Sequence, residues 1–230
     1  MPGSALRVDL FTDDMSDKID NMSVTANFRR FESVLVNRPR KSEKTFQAIL
    51  DGALEFLWTH PFRDLKVAEL MAHVGASRPT FYQYFSDLHE LMDVLLDGMR
   101  GDILDKVSPW LQGKDDPISS LRESLSGLVA LCHERGPILR AVSDAAVSDA
   151  RLERVWADFL IGFDDAVTAK IEEQQLMGII PNFDARPVAE ALNRLDAALL
   201  IEKFGQLPRS EPEPVLEAIS RIWLSTLYID

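Results

Sequence analysis

The sequence has a single cysteine and no long apolar segment, and each absence excludes a class of protein. Cys132 stands alone among 230 residues, which excludes an internal disulfide framework and favours a reducing cytoplasm. No apolar run approaches the roughly 18 residues that a membrane-spanning helix needs. The acidic N-terminus lacks the apolar region of a secretory signal. We therefore expect a cytoplasmic protein without a membrane segment.

Residues with the spacing of metal or catalytic sites are also missing. The chain has four histidines, namely His60, His73, His89 and His133. None has ligand spacing with cysteine or carboxylates, and the sequence contains neither a glycine-rich phosphate loop nor a Gly-x-Ser-x-Gly turn. Cys132, His133 and Glu134 are adjacent, but successive residues of a helix point in different directions. We expect a packed thiol rather than a nucleophile, no metal, no cofactor and no enzymatic activity.

Positive charge is scarce, and its distribution is uneven. The chain has 25 Lys and Arg against 37 Asp and Glu, a net charge of -12. Residues 37–90 contain seven basic and seven acidic residues, whereas residues 91–230 contain 14 basic and 24 acidic ones. So acidic a chain is not a simple non-specific DNA binder. Its neutral, locally basic N-terminal part can still bind DNA through specific contacts that weaken steeply with salt.

Apolar residues recur at helical spacing along most of the chain, and no useful stretch alternates with the period of a strand. The pattern predicts an all-α protein with a three-helix head over residues 41–88 and a helical-bundle body over residues 89–230, after an N-terminal extension or arm over residues 1–40. The predicted helices cover residues 44–58 (ended by His60-Pro61), 88–111, 121–132, 136–146 (begun by Gly136-Pro137), 188–204 and 215–228, the last two separated by Pro208, Pro212 and Pro214. Between residues 146 and 188, a further helix has its apolar stripe over residues 152–167 and is ended by Gly178 and Pro181.

Residues 67–85 have the pattern of two short helices joined by a tight turn. Apolar residues at helical spacing form one face of the first helix: Val67, Leu70, Met71 and Val74. Gly75 suits the left-handed position that ends a helix. Ser77 can cap the next helix, and Pro79 fits its first turn, where a missing N–H costs nothing. Phe81 and Phe85 are four residues apart and can both face inward, so the segment predicts a helix-turn-helix.

Polar residues of the second helix are suited to DNA. The candidates are Arg78, Pro79, Thr80, Tyr82, Gln83 and Tyr84. Such residues contact phosphates and base edges; Gln83 could bind adenine and Arg78 guanine. Just before the first helix lie three further basic candidates, Arg40, Lys41 and Lys44. This run is either a solvated linker or an arm that reaches DNA phosphates or the minor groove, as homeodomain arms do.

The segment resembles the DNA-binding domain of the TetR family of bacterial transcriptional regulators. Gly75-Ala76-Ser77-Arg78-Pro79-Thr80-Phe81-Tyr82-Gln83-Tyr84-Phe85 matches the family signature Gly-x-Ser-x-x-Thr-Phe/Leu-Tyr-x-Tyr/His-Phe. The resemblance implies a helix-turn-helix domain followed by a helical ligand-binding and dimerisation domain. The family usually has a phosphate-binding lysine at the start of its fourth helix, where this chain has Leu88.

The rest of the chain is similar, more weakly, to one mycobacterial subgroup of the family, the repressors of ethionamide bioactivation. The similarity is carried by Ala191-Leu192-Asn193 and by Ile222-Trp223 with Tyr228. It implies that Asn193 contacts a ligand and that Asp196 replaces a second asparagine. In an apolar helix an unpaired polar side chain is costly to bury. Asn193 and Asp196 could instead cap a helix or bond a partner chain, and a carboxylate could favour a ligand with donors or positive charge.

Aromatic residues at helical spacing are open to two interpretations. They pack in cores more often than they line a binding site, but the resemblance makes some of them equally good candidates for pocket walls. Together with the two polar residues, the predicted ligand site comprises Trp110, Phe159, Phe163, Asn193, Asp196 and Trp223. A mostly apolar cavity with one or two polar anchors suits a small apolar ligand.

These patterns favour a ligand-responsive repressor that binds a double-stranded DNA operator and is released by a mostly apolar small molecule. The alternative is a helical sensor or interaction module that kept the fold and lost DNA binding. We also expect a homodimer through residues 188–204 and 215–228, whose apolar stripes carry extra apolar residues, Leu200, Ile201 and Leu224.

Overall fold

The computed structural model describes residues 40–113 and 116–228, with side chains from Glu43 onward. Within these ranges the backbone forms eight α-helices and no strand, which confirms the predicted all-α fold. The predicted extension over residues 1–40 lies, apart from Arg40, outside the described residues. No helix in the described ranges is both long enough and apolar enough to cross a membrane.

The helices follow one another with short connections, and a 3₁₀ turn at Phe62–Asp64 joins the first two. They are α1 (Arg40–Leu57), α2 (Val67–His73), α3 (Arg78–Phe81), α4 (Leu88–Gln112), α5 (Pro117–Ala146), α6 (Ala150–Leu176), α7 (Ala185–Phe204) and α8 (Pro212–Leu227). Because α1 begins at Arg40, the basic candidates Arg40, Lys41 and Lys44 lie in its first turns and not in an extended arm or linker. The residues that follow Arg40 include no glycine or proline before Gly52, so nothing in the sequence opposes a helix there.

Helices α1–α3 share a compact apolar core. Its nearly fully buried members are Ile49, Ala53, Leu57, Leu70, Met71, Phe81 and Phe85. Phe46 stacks on Phe85 with 5.4 Å between ring centroids, which fixes α1 against the end of the helix-turn-helix. The inward orientation predicted for Phe81 and Phe85 is therefore confirmed.

The end of α1 depends on a residue of the body. Pro61 has no N–H to donate to the carbonyl of Leu57, so the predicted stop at His60-Pro61 takes effect at Leu57. Arg140 of α5 supplies the missing donor, because its Nη2 lies 3.2 Å from the Leu57 oxygen and 3.3 Å from the His60 oxygen. The last turn of α1 is thus capped from the body.

Helix α4 is the long connection between the head and the body. Asp87 caps it by accepting a hydrogen bond from the Glu90 N–H at 2.8 Å, and Glu90 Oε2 accepts one from the Ser86 N–H at 2.6 Å. The two bonds satisfy one backbone donor in the first turn and one just before the cap. Leu91 near the start and Trp110 near the end are both buried, so α4 contributes to the core along its whole length.

Helix α5 is continuous, and the separate short helix predicted from Gly136-Pro137 is wrong. Pro137 deprives the carbonyl of His133 of its helical donor, but Arg209 Nη1 donates to that oxygen at 2.6 Å. Gly136 allows close packing, since a Cβ there would lie 2.5 Å from the Phe204 carbonyl oxygen. Both residues therefore serve the contact between α5 and the end of α7.

Two other predictions at the C-terminal end need correction. Pro212 and Pro214 lie in the first turn of α8, not before it, because first-turn N–H groups have no helical acceptor to lose. Leu200 is only 2% exposed and belongs to the core, so it is not an outward-facing residue of α7. Ile201 and Leu224 are half-buried, as we expect of apolar residues on the outer faces of α7 and α8.

The bond from Arg209 to the carbonyl that Pro137 frees can be tested by a double-mutant cycle. We expect Arg209→Ala to lower the free energy of unfolding by about 1 kcal/mol, because the carbonyl loses its donor. In a Pro137→Ala background the new N–H at position 137 replaces that donor, so Arg209→Ala should cost less. The contact of Arg209 with the Trp58 ring, 5.1 Å away, is lost in both backgrounds and cancels. Urea denaturation of the four proteins measures the difference, and equal costs would contradict this role of Arg209.

Candidate DNA-binding head and body cavity

The turn between α2 and α3 has the geometry that the sequence predicts. Gly75 has a φ of 71°, the left-handed conformation that glycine adopts without strain. The Ala76 N–H donates to the Met71 oxygen at 2.9 Å and the Gly75 N–H to the Ala72 oxygen at 3.2 Å. These two bonds close the end of α2 as a Schellman motif and direct the chain sharply into α3.

Helix α3 is short and starts as expected, except for the role of the capping hydroxyl. Ser77 occupies the N-cap position and Pro79 lies in the first turn. The Ser77 hydroxyl, however, makes no bond to the backbone and lies 2.8 Å from the Thr80 hydroxyl. The predicted side-chain cap is therefore wrong, because the neighbouring hydroxyl competes for the same oxygen.

The side chains predicted to meet DNA differ in exposure. Arg78, Pro79 and Gln83 are exposed, the Tyr82 ring is 49% exposed, and Thr80 is half-buried. Arg78 Nη2 donates to the Tyr82 hydroxyl at 3.3 Å and lies 5.8 Å from the centre of its ring, so these two side chains form one unit.

The remaining candidates lie closer to α1. Tyr84 is half-buried, and its ring contacts that of Phe46 at 5.9 Å, so it faces α1 more than solvent. Lys44 is exposed, while the side chains of Arg40 and Lys41 lie outside the described residues. Leu88, where the family usually has lysine, is half-buried and packs against the core.

Ion pairs join the start of α4 to the start of α6. Arg151 contacts Asp87 at 3.1 Å and Asp93 at 2.6 Å. His89 Nε2 lies 2.5 Å from Asp149 Oδ2, and this hydrogen bond holds the pKa of Asp149 below its usual value. The sequence does not predict these contacts, because charged residues in a chain give no indication of the partners with which they pair.

The predicted ligand residues converge on a cavity in the body. All six of them line a space of about 80 Å³ between α4, α5, α6, α7 and α8. They are Trp110 from α4, Phe159 and Phe163 from α6, Asn193 and Asp196 from α7, and Trp223 from α8. The other lining residues are apolar apart from Ser124 and Cys132, both from α5.

Asp196 is the most unusual group in this cavity. Its side chain is 5% exposed, and its Oδ2 accepts a hydrogen bond from Trp223 Nε1 at 2.9 Å. Its Oδ1 has no hydrogen-bond partner among the described residues. Burial raises the pKa of Asp196 to about 8, although the bond from Trp223 acts in the opposite direction. The carboxyl is therefore mostly neutral at pH 7.

Asn193 is held by a carboxylate that the sequence analysis missed. Its Nδ2 donates to Asp164 Oδ1 at 2.9 Å. Asp164 is 1% exposed and also accepts two bonds from Arg194, at 3.1 and 2.8 Å. The one available signal was the spacing of Asp164, four residues after Leu160 and three before Val167 on the apolar stripe of α6.

Trp110 is tied to the C-terminal end of the body. Its Nε1 donates to the Tyr228 hydroxyl at 2.9 Å, and that hydroxyl donates to Gln174 Oε1 at 2.7 Å. Its ring meets that of Trp223 edge to face at 5.6 Å. The backbone N–H of Trp110 also bonds the Ser124 hydroxyl at 3.0 Å. The end of α4 is thus connected to α5, α6 and α8.

Cys132 has the environment expected of a packed thiol. It is fully buried, and burial raises its pKa to about 12. Since the thiolate is the reactive form, this thiol is not an activated nucleophile.

Two family models match successive parts of the chain. Residues 49–95 match the model described as bacterial regulatory proteins of the tetR family, which covers the helix-turn-helix. Residues 121–229 match the C-terminal domain of the transcriptional regulator EthR, which covers α5 to α8.

Curated relatives match most of the chain. The HTH-type transcriptional regulator EthR of Mycobacterium tuberculosis (strain H37Rv) is 28% identical over 189 residues, which cover 79% of this chain and 86% of that protein. The regulator of the same name from Mycolicibacterium smegmatis is 26% identical over 186 residues, covering 79% and 85%.

Solved structures share the fold. A putative TetR-family regulator from Syntrophomonas wolfei superimposes with a TM-score of 0.69 at 17% identity, covering 80% of this chain and 95% of that one. The fatty acid degradation regulator FadR from Bacillus halodurans gives a TM-score of 0.69 at 14% identity, covering 84% and 100%. At these identities the likeness concerns the fold alone.

Proposed function

This chain belongs to the TetR family of bacterial transcriptional regulators, and on that premise we propose a repressor that leaves its operator when a mostly apolar small molecule occupies the body cavity. Residues 41–88 form the DNA-binding head, and residues 89–230 form the ligand-binding and dimerisation body. Such a repressor works in the cytoplasm, where its operator lies, and we assign it no catalytic activity. The relatives named EthR are regulators with a helix-turn-helix, which supports the assignment.

The observation that carries the proposal is the position of Trp110. It lies in the wall of the cavity and on the same unbroken helix as His89, which contacts both Phe62 of the head and Asp149. A ligand that displaces Trp110 tilts α4 and moves its start against the head. In a dimer this changes the separation of the two DNA-binding helices.

The volume of the cavity indicates which of two forms of the protein binds DNA. Ligand pockets measure about 300–1,000 Å³, whereas the cavity here measures about 80 Å³. A ligand of ordinary size must therefore move the surrounding helices apart, and it favours a wider body than the one described. A ligand shifts a conformational equilibrium only through its different affinity for the two states. The narrow body is then the DNA-binding form, and the wide body is the released form.

We infer that the dimer forms through α7 and α8. Their outer faces carry half-buried apolar side chains, among them Leu195, Leu199, Ile222 and Leu224. Packed against a two-fold copy, these helices make a four-helix interface. The resulting protein symmetry calls for a pseudo-palindromic operator with the two α3 helices in successive major grooves.

The dimer can be tested by light scattering at micromolar concentration. We expect a mass of twice 25.9 kDa, and a monomer for Leu224→Glu, because a charge at the centre of the interface is desolvated without a partner. Val147→Glu is the matched control, since Val147 is 89% exposed at the end of α5 and lies on neither helix. A wild-type monomer, or a Leu224→Glu protein that remains dimeric, would contradict the interface.

Operator contacts can be tested with a duplex selected from a random library. Gln83→Ala and Arg78→Ala should relax base preference at a cost of about 1–3 kcal/mol each, whereas Tyr82→Ala and Thr80→Ala should weaken all sequences alike. Gln112→Ala is the control for Gln83→Ala, because it removes an exposed glutamine side chain at the far end of α4. It should leave operator affinity unaltered. If all four substitutions in the head leave operator affinity intact, α3 is not the DNA-binding helix.

The coupling between cavity and DNA can be tested with octanol as an apolar probe. Saturating octanol should weaken operator binding, and operator DNA should weaken octanol binding by the same factor, within the usual range of about 5- to 150-fold. Trp110→Phe, which removes the bond to Tyr228, should reduce this factor. Trp156→Phe is the control, because Trp156 stacks on Phe159 but does not line the cavity. If operator affinity is identical with and without bound octanol, the cavity does not control DNA binding and is only a packing void.

A further inference from the structure

Asp196 has a buried, unsatisfied oxygen in the lining of a mostly apolar cavity. The side chain is 95% buried, its Oδ2 is bound by Trp223, and its Oδ1 meets no donor among the described residues. A buried polar atom without a partner carries a desolvation penalty that a suitable ligand group can remove. When Asp196 is ionised, its free oxygen therefore gains from a hydrogen-bond donor on a ligand.

The neighbouring polar groups cannot supply that donor. The Ser124 hydroxyl donates to the Val107 carbonyl at 3.2 Å. Asp164 holds Arg194 through both oxygens and can only accept, so Asn193 must turn its NH₂ group toward it. This orientation leaves the Asn193 amide oxygen as the atom available for other contacts. Once Asp196 has lost its proton, the polar atoms that α7 offers to a ligand are thus both acceptors.

We propose that the cavity selects apolar molecules that carry a protonated amine, with Asp196 as the residue that binds the ammonium group. The inference rests on the ligand-binding role proposed above and adds the chemical class of the ligand. An ammonium group has three donors, so it can satisfy Asp196 Oδ1 and the Asn193 oxygen together. Its apolar part occupies the space between the aromatic side chains of α4, α6 and α8.

The protonation of Asp196 predicts how the affinity for an amine depends on pH. Because its pKa is raised to about 8, the carboxyl must lose its proton to pair with an ammonium group. The titratable groups near it are Cys132 of α5, which stays protonated with a pKa of about 12, and Asp164 of α6, which is paired with Arg194. Trp223 of α8 does not titrate, and α4 lines the cavity with apolar side chains only. Ammonium affinity should then rise about tenfold per pH unit below pH 8, with one proton released per molecule bound.

The test compares octylamine, octanol and methyl hexyl ketone, which share one chain length and differ in their polar group. By calorimetry above pH 8, where Asp196 is ionised, wild-type protein should bind octylamine about tenfold or more tightly than the ketone, which has no donor. Asp196→Asn should reverse that order. Its amide oxygen still accepts from Trp223, while its NH₂ group offers the cavity a donor instead of an acceptor. Glu172→Gln removes an exposed carboxylate of α6 and should keep the wild-type order.

The pH series on wild-type protein keeps the test independent of the variant. Octylamine affinity should rise between about pH 6 and pH 8 while octanol affinity stays level. An amine preference that survives Asp196→Asn, or octylamine affinity that is flat over this range, overturns the proposal. If octanol binding still weakens operator binding in that case, the switch stands and only the ligand class is wrong. If none of the three probes binds, the proposed ligand class and the ligand-controlled switch both fail.

Discussion

The continuity of α4 is the constraint on which the rest of the protein depends. The helix is capped by Asp87 at the head and ends beside the cavity, with Trp110 in its last turn. Pro109 would ordinarily weaken that end, because it leaves the carbonyl of Asp105 without a helical donor. The Ser108 hydroxyl donates to that carbonyl at 2.8 Å, so the helix stays intact through the proline. The helix therefore runs without a break over 25 residues, from its cap at Asp87 to the wall of the cavity.

A second connection runs from α7 to the head and does not involve α4. The loop after α7 places Arg209 over the Trp58 ring, and the Leu207 N–H donates to the Trp58 carbonyl at 3.3 Å. Arg140 binds Gln206 Oε1 at 2.5 Å as well as the Leu57 carbonyl at 3.2 Å. Helix α7 also carries Asn193 and Asp196, the polar residues with which it lines the cavity. The head thus contacts the body at two places, and the helices that lead to these contacts, α4 and α7, both line the cavity.

The polar groups in the cavity show how far sequence could predict the site. Asn193, Asp196 and the aromatic residues were identified from a resemblance and from helical spacing, and all of them line one space. Asp164 was missed, although it fixes the orientation of Asn193, because a carboxylate on an apolar stripe does not reveal its partner. The contrast between satisfied Asp164 and half-satisfied Asp196 could not be predicted either. It depends on which donors the packing of α6, α7 and α8 brings within about 3 Å.

Local chemistry alone determined the helix-turn-helix and the C-terminal ends of most helices. Gly75, Pro79 and the pair Phe81 and Phe85 act on backbone and neighbours within a few residues, so their spacing in the chain is sufficient information. Pro137 misled the sequence analysis because the donor that keeps α5 continuous, Arg209, lies 72 residues away along the chain. The sequence could not assign Leu200 to the core or to the dimer interface for the same reason, since apolar character does not say which of two apolar faces is covered. Only the tertiary structure decided these points, because a free carbonyl or an apolar face is satisfied by whatever group packs against it.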